Sequence, residues 1–334
     1  MPLAEELSSY ALSLSYGDLS AHAVHTAKQR LVDSLGCGLG AFDATPVRNG
    51  RAFAEAYLSP ACTVLGTRQT TTPDIAAFVN GTMVRYFDFN DGYIGKEVGH
   101  PSDNVPACLA VAEAEGSSDA DLLLAIVLAY EIQCGFQDAA NLHRGGWDHV
   151  NYVLLASTIA AGRLMRLSQR QLTDAINIAL NSHIAMRQVR SGALSQWKGS
   201  SAPNAARNGI VSARLAQHGF TGPSPVFEGQ SGFKNQVVRR QAAVRDRGRP
   251  HRPPRRARPA GHRPERYGQR RTRAARRPRS RPGGEQPRRA HPRAPRQLAR
   301  SRHRRAPRHG PHTAHDHFAV LPAVRRFLAA CLAR

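Results

Sequence analysis

Arg85-Tyr86-Phe87-Asp88-Phe89-Asn90-Asp91-Gly92-Tyr93, continued by His100-Pro101-Ser102-Asp103-Asn104, is the stretch on which the reading of this chain turns. A helical apolar pattern runs in from about Asp74 and is expected to end at Asp88 to Asp91. A loop punctuated by Gly92, Gly95 and Gly99 follows. His100-Pro101-Ser102 then opens a second predicted helix, from Asp103 to about Glu115, stopped by Gly116. The loop brings carboxylates at the end of one helix near an imidazole at the start of the next. Helix N-termini present unpaired N–H groups and partial positive charge, so Ser102 is a candidate anion contact. A carboxylate and a histidine facing an anion site make a candidate acid–base pair.

The same grammar extends on both sides. Leu3, Leu7, Ala11 and Leu12 predict a helix over 3–15, and Val24, Ala27, Leu31 and Leu35 another over Leu19 to Leu39. Val47 to Leu58 reads as a third. Ala61 to Gly66 is short and β-branched, and suits a small strand or hairpin arm. Beyond the central loop, helices are expected at Leu122–Phe136, Tyr152–Leu167, Gln171–Leu180 and Ser201–His218, with caps at Ser118 and Ser168. Several are apolar almost all round. That fits an all-α, multilayer helical domain over residues 1–238 better than a simple bundle.

The chain has 334 residues and a net charge of +23, unevenly spread. Residues 1–238 hold 17 Lys+Arg against 20 Asp+Glu, and residues 239–334 hold 30 against 4. The front is therefore slightly acidic. Cys37, Cys62, Cys108, Cys134 and Cys331 form no C-x-x-C pair and suit buried free thiols in a reducing compartment. No secretion signal and no apolar run of membrane-spanning length is visible, so the expectation is a cytoplasmic protein.

From Arg239 the composition changes. Residues 239–317 are rich in Arg, Pro, Ala, His and Gly, have no helical or strand period, and are expected to be disordered. Phe318 to Leu332 regains a weak helical pattern within a short segment, 318–334. Three readings of the basic stretch compete: a nucleic-acid-binding arm acting through non-specific charge, a contact for an anionic membrane surface, and a GC-rich gene read out of frame. All 30 basic residues here are Arg, and Lys, Ile, Met, Asn and Trp are absent. Lys neutralises a phosphate as well as Arg does, so its exclusion favours the frame shift. His312, His315, Asp316 and His317 resemble a metal cluster, and chance explains them in such a tail.

The chemistry-bearing segments together resemble the MmgE/PrpD family, which includes 2-methylcitrate dehydratase and cis-aconitate decarboxylase. They are Tyr86 to Asp91; Gly99 to Ala107 followed by Leu109 to Glu113; Gly146-Trp147-Asp148-His149-Val150 with Ala156-Ser157-Thr158; Trp197-Lys198-Gly199 with Asn204 to Gly209; and Gly222-Pro223 with Phe227-Glu228-Gly229 and Gly232-Phe233. The resemblance covers about residues 1–238. It implies a large helical domain, a smaller α/β lid not found in this chain, a homodimer, no metal or organic cofactor, and small polycarboxylate substrates.

It also implies active-site positions at Asp88 and His100, a second active-site histidine at His149, and a substrate-facing lysine at Lys198. Gly92 stands where the decarboxylase has a hydroxyl residue, which argues against decarboxylation of cis-aconitate. Dehydrating a tertiary alcohol flanked by carboxylates needs a base for the C–H, an acid for the departing hydroxide, and cations for developing charge. The expected function is a metal-independent 2-methylcitrate dehydratase-like hydro-lyase, with His100 and Asp88 moving protons and His149, Lys198 and Ser102 binding substrate. The alternatives are an inactive truncated fragment and a related decarboxylase or epimerase. Each residue also has a structural reading: a helix-end pair for Asp88, a helix entry for His100, a core histidine for His149, a surface charge for Lys198, ion pairs for Arg85 and Arg207, and packing for Tyr93 and Trp197.

Overall fold

The long helices are built where the chain marks its own starts. Ser118 and Ser168 each form a reciprocal capping box, with Asp121 and Gln171, opening α6 (Asp119–Ala139) and α8 (Gln169–Ser182). Ser20 caps α2 (Ala21–Gly40). The computed structural model describes residues 1–239. The basic tail beyond them, the expected helix in 318–334, the His312–His317 cluster and Cys331 lie outside the described residues. The remaining helices are α1 (Leu3–Ser13), α3 (Thr45–Ala54), α4 (Pro73–Arg85), α5 (Val105–Ala114), α7 (Val150–Leu164) and α9 (Trp197–Gln217).

The fold is all-α, as expected, in several layers. Helix α7 is buried almost all round, lying between α6 and α9, and α4 packs on α9 and α5. The α7–α9 approach needs Gly209, where a Cβ would lie 2.9 Å from the Thr158 backbone nitrogen. The strands among the described residues form two small antiparallel pairs. The first, β1 (Leu58–Thr63) with β2 (Thr70–Thr71), contains the hairpin arm expected near Ala61. The second, β3 (Tyr93–Ile94) with β4 (Val98–Gly99), falls where an irregular loop was expected. The C-terminal end of α6 holds it there. Gln137 donates to the Tyr93 carbonyl at 3.4 Å and the Glu97 carbonyl at 3.2 Å, and the Tyr93 hydroxyl donates to Asp138 at 2.8 Å.

Two helix boundaries that place the site also differ from expectation. Helix α4 stops at Arg85 because Asp88 adopts a left-handed conformation, φ 57°. His100 leads first into a 3-10 turn, Pro101–Asn104, and only then into α5. Asn104 fixes that turn, donating to Gln133 on α6 at 2.7 Å and accepting from Ser157 on α7 at 2.7 Å. Cys62 and Cys108 are buried free thiols, Cys134 is buried and Cys37 is half-buried. Among the described residues no helix is long and apolar enough to cross a membrane.

Candidate active site

Asp88 leaves the end of α4 through its left-handed turn, a conformation Asp tolerates better than most residues. Its two carboxylate oxygens pair with different cations, Oδ1 with Arg85 and Oδ2 with Lys198 in the first turn of α9. Partial burial acts to raise the Asp88 pKa. The hydrogen bond from Lys198 and the charges of Arg85, Lys198 and His100 outweigh it and hold the carboxyl below its ordinary range. Asp88, Lys198, Arg85 and Tyr86 line a cavity of about 290 Å³, walled also by Thr45 and Ser195. Neither histidine lines it.

Arg85 joins this cavity to the scaffold behind it. It is 3% exposed, and its Nε lies 3.5 Å from Asp103, which has no exposed side-chain surface. Asn90 donates to both Asp103 and the Ser102 hydroxyl at 3.0 Å. Ser102 is fully buried, and its N–H donates to the Asp91 carboxylate at 3.0 Å. The Tyr130 hydroxyl donates to the other Asp91 oxygen at 2.8 Å. The anion received by this helix start is thus the protein's own Asp91. Composition near Ser102 gave no sign that a carboxylate eleven residues upstream folds back onto it.

The histidines form a second group. The His100 ring Nδ1 lies 2.6 Å from the Asp91 carbonyl oxygen, and its ring centroid is 6.1 Å from that of His149. His149 caps α7, 5% exposed, between Asp148 and Arg190. Its Nδ1 is 3.4 Å from Asp148, and its Nε2 is 3.5 Å from an Arg190 nitrogen. Burial foremost, then the charges of Arg190, His100 and Arg85, hold its pKa well below the usual histidine value, so His149 is neutral. Gly99 lets the two rings approach, since a Cβ there would lie 2.9 Å from Gln137 and 3.2 Å from His149.

Behind the histidines lies Glu97, fully buried and not singled out by the sequence. It accepts from the Leu142 and His143 N–H groups at 2.8 and 3.0 Å and pairs with the His143 ring. The structure therefore brings Asp88 to Lys198 and His100 to His149, places Ser102 inside the scaffold, and adds Arg190, Asp148, Glu97 and Asp91. Arg85 and Arg207 make ion pairs, the latter with Asp74 at 3.6 Å. Tyr93 is buried, while Trp197 is exposed and rests against Phe78. Among the described residues no group of three or more His, Cys, Asp or Glu is placed to hold a metal ion.

The MmgE/PrpD N-terminal domain family matches residues 5–245. The chain is 34% identical over 184 residues to the mitochondrial 2-methylcitrate dehydratase of Yarrowia lipolytica, covering 51% of this chain and 35% of that protein. It is 30% identical over 223 residues to 2-methylcitrate dehydratase of Escherichia coli K12, covering 62% and 46%. With 2-methylcitrate dehydratase of Cupriavidus necator it shares 30% over 238 residues, covering 66% and 49%. The chain thus spans half or less of the length of these curated relatives.

Proposed function

This chain belongs to the MmgE/PrpD family, and we propose that it serves a hydro-lyase of small polycarboxylates, of the 2-methylcitrate dehydratase kind. The observation that carries the reading is the His100 ring, with Nδ1 at 2.6 Å from a backbone carbonyl. A carbonyl oxygen can only accept, so Nδ1 holds a proton, and in the uncharged ring the lone pair is on Nε2. In its uncharged form an imidazole held in that tautomer can take a proton from a carbon beside a carboxylate. As that C–H bond breaks, its electrons form the double bond and the C–O bond to the hydroxyl breaks. The departing hydroxide takes a proton and leaves as water.

In this reading Lys198 binds a substrate carboxylate. Doing so draws it from Asp88 and removes the hydrogen bond that most strongly holds that carboxyl ionised. Asp88 then becomes able to hold the proton the hydroxide needs. His149, being neutral, contributes a hydrogen bond rather than a charge, and Ser102 positions Asp91 rather than touching substrate. The reading draws on side chains alone, and the expected assembly is a cytoplasmic homodimer.

The test is turnover of 2-methylcitrate by the full chain, followed through ultraviolet absorbance of the new double bond. Turnover that His100→Ala abolishes supports the reading, and wild-type rates in that variant refute it. A second reading, an inactive fragment, is favoured by a match spanning 35% to 49% of these relatives. It predicts polycarboxylate binding without turnover. Release of carbon dioxide from cis-aconitate would point instead to decarboxylation, and substrate inversion without loss of water to epimerisation.

A further inference from the structure

We propose that Arg187 and Arg190 form a second anion subsite, which takes a substrate carboxylate apart from the one at Lys198; this rests on the polycarboxylate reading above. Both stand on a four-residue 3-10 turn, Arg187–Arg190, in the connection between α8 and α9. With three residues per turn, positions three apart eclipse, so the two side chains leave the turn on one side. The turn is fastened to the segment that carries His149. The Arg187 N–H donates to the Gly146 carbonyl at 2.8 Å, and the Asp148 N–H donates to the Ala185 carbonyl at 3.1 Å. Asn151 and Ala185 exchange two further hydrogen bonds.

Charge along this wall does not balance. Arg190 is answered by Asp148 in a two-pronged pair, Nε to Oδ2 at 2.7 Å and Nη2 to Oδ1 at 3.2 Å. Arg187 has no such answer. Its Nη1 is buried and has no hydrogen-bond partner among the described residues. Burial foremost, and then the charge of Arg190, press its pKa down, with Glu97 opposing. Glu97 is the acidic group facing it. That carboxyl already accepts from Leu142, His143 and Val98 and pairs with the His143 ring. Burial raises it to about 7, so it is only partly charged near neutral pH. His149 is neutral and supplies no negative charge. A carboxylate from a ligand gives Arg187 the acceptor it lacks and offsets two like charges.

The consequence is selectivity. The arginine turn lies just before α9 and Lys198 stands in the first turn of α9, and a ligand must carry at least two carboxylates to engage both. Monocarboxylates reach one.

The test is calorimetric titration of citrate into the full chain and its variants. Wild type binds citrate, and Arg187→Gln and Arg190→Gln each weaken it by about 10- to 100-fold, as expected for losing a charged hydrogen bond. Unchanged citrate affinity in both arginine variants, with affinity lost in Lys198→Gln, overturns the subsite and leaves the polycarboxylate reading standing. Failure of the wild type to bind either citrate or 2-methylcitrate overturns both. Where an arginine variant loses its helical circular dichroism, phenylglyoxal modification of the unaltered chain decides. Citrate that shields Arg187 and Arg190 supports the subsite, and equal modification with and without citrate overturns it.

Discussion

The Glu97→Gln substitution ties stability to pH. Glu97 is fully buried, between the β3–β4 hairpin and the Leu142–His143 turn. Burial is the largest influence on its carboxyl and raises it, against the backbone hydrogen bonds and Arg187, from 4.5 to about 7. Between those two values the unfolded chain has released the proton and the folded chain still holds it. The folded state therefore binds more protons there, and stability falls as pH rises. What Glu97 contributes is complete below the unfolded value and lost as pH climbs through about 7. The difference between those two values corresponds to roughly 3 kcal/mol. That is an upper figure, because the paired His143 ring favours the charged carboxylate when protonated. Gln keeps the size and removes the titration. The melting temperature of the wild type, measured against the variant by circular dichroism, should therefore drop by up to roughly 6–12 °C between about pH 5 and about pH 8. Arg187, which lowers the carboxyl, and Asp148, which raises it, are the other charged groups facing Glu97, and their influence is already contained in the value of about 7. A gap between the two melting curves that stays constant across this range refutes the reasoning.

His100→Gln should lower 2-methylcitrate turnover by about 100-fold or more while citrate binding persists, because general-base catalysis is worth that much; turnover within twofold of wild type rejects His100 as the base. The His149 imidazole should remain neutral in nuclear magnetic resonance spectra at about pH 6, and a titration near the usual histidine value would contradict its burial. Gly99→Ala should cost about 1–3 kcal/mol in thermal unfolding and shift the His149 signals, since the new methyl collides with Gln137 and His149. Gly209→Ala should cost a similar amount, about 1–3 kcal/mol, without moving those signals, because it forces α9 away from the α7 backbone at Thr158.

The helices were legible wherever the chain supplies its own punctuation. Ser118 and Ser168 sit where the caps were expected, and the capping boxes behind them are local, needing no knowledge of the rest of the molecule. Legibility fails where a distant group decides. The apolar pattern of α4 continues toward Asp91, but Arg85 and Lys198 hold Asp88 in a left-handed turn that no window around residue 88 reveals. Helix α9 begins at Trp197 rather than Ser201 and keeps Pro203 inside it. That proline packs against Gly81 on α4, a contact between residues far apart in sequence. The β3–β4 hairpin lacks apolar alternation, and side chains of α6 fasten it instead.

The same division runs through the site. Residue types at Asp88, His100, His149 and Lys198 are visible in the chain because they are chemically distinctive and lie in recognisable segments. What each can do depends on partners that sequence order does not bring together. A histidine reads as a potential cation, yet His149 is pressed neutral by burial and by Arg190, which lies forty-one residues further on. A helix start reads as an anion site, yet Asp91 fills the one at Ser102. Arg187 and Arg190 carry a faint local sign, two like charges at the spacing that eclipses in a 3-10 turn. Their meaning emerges only when Asp148 is seen to answer one of them and not the other. Positive charge at this wall is therefore a property of arginine geometry rather than of histidine protonation. Binding of a carboxylate there should weaken as pH rises through about 7, where Glu97 becomes charged and competes for Arg187.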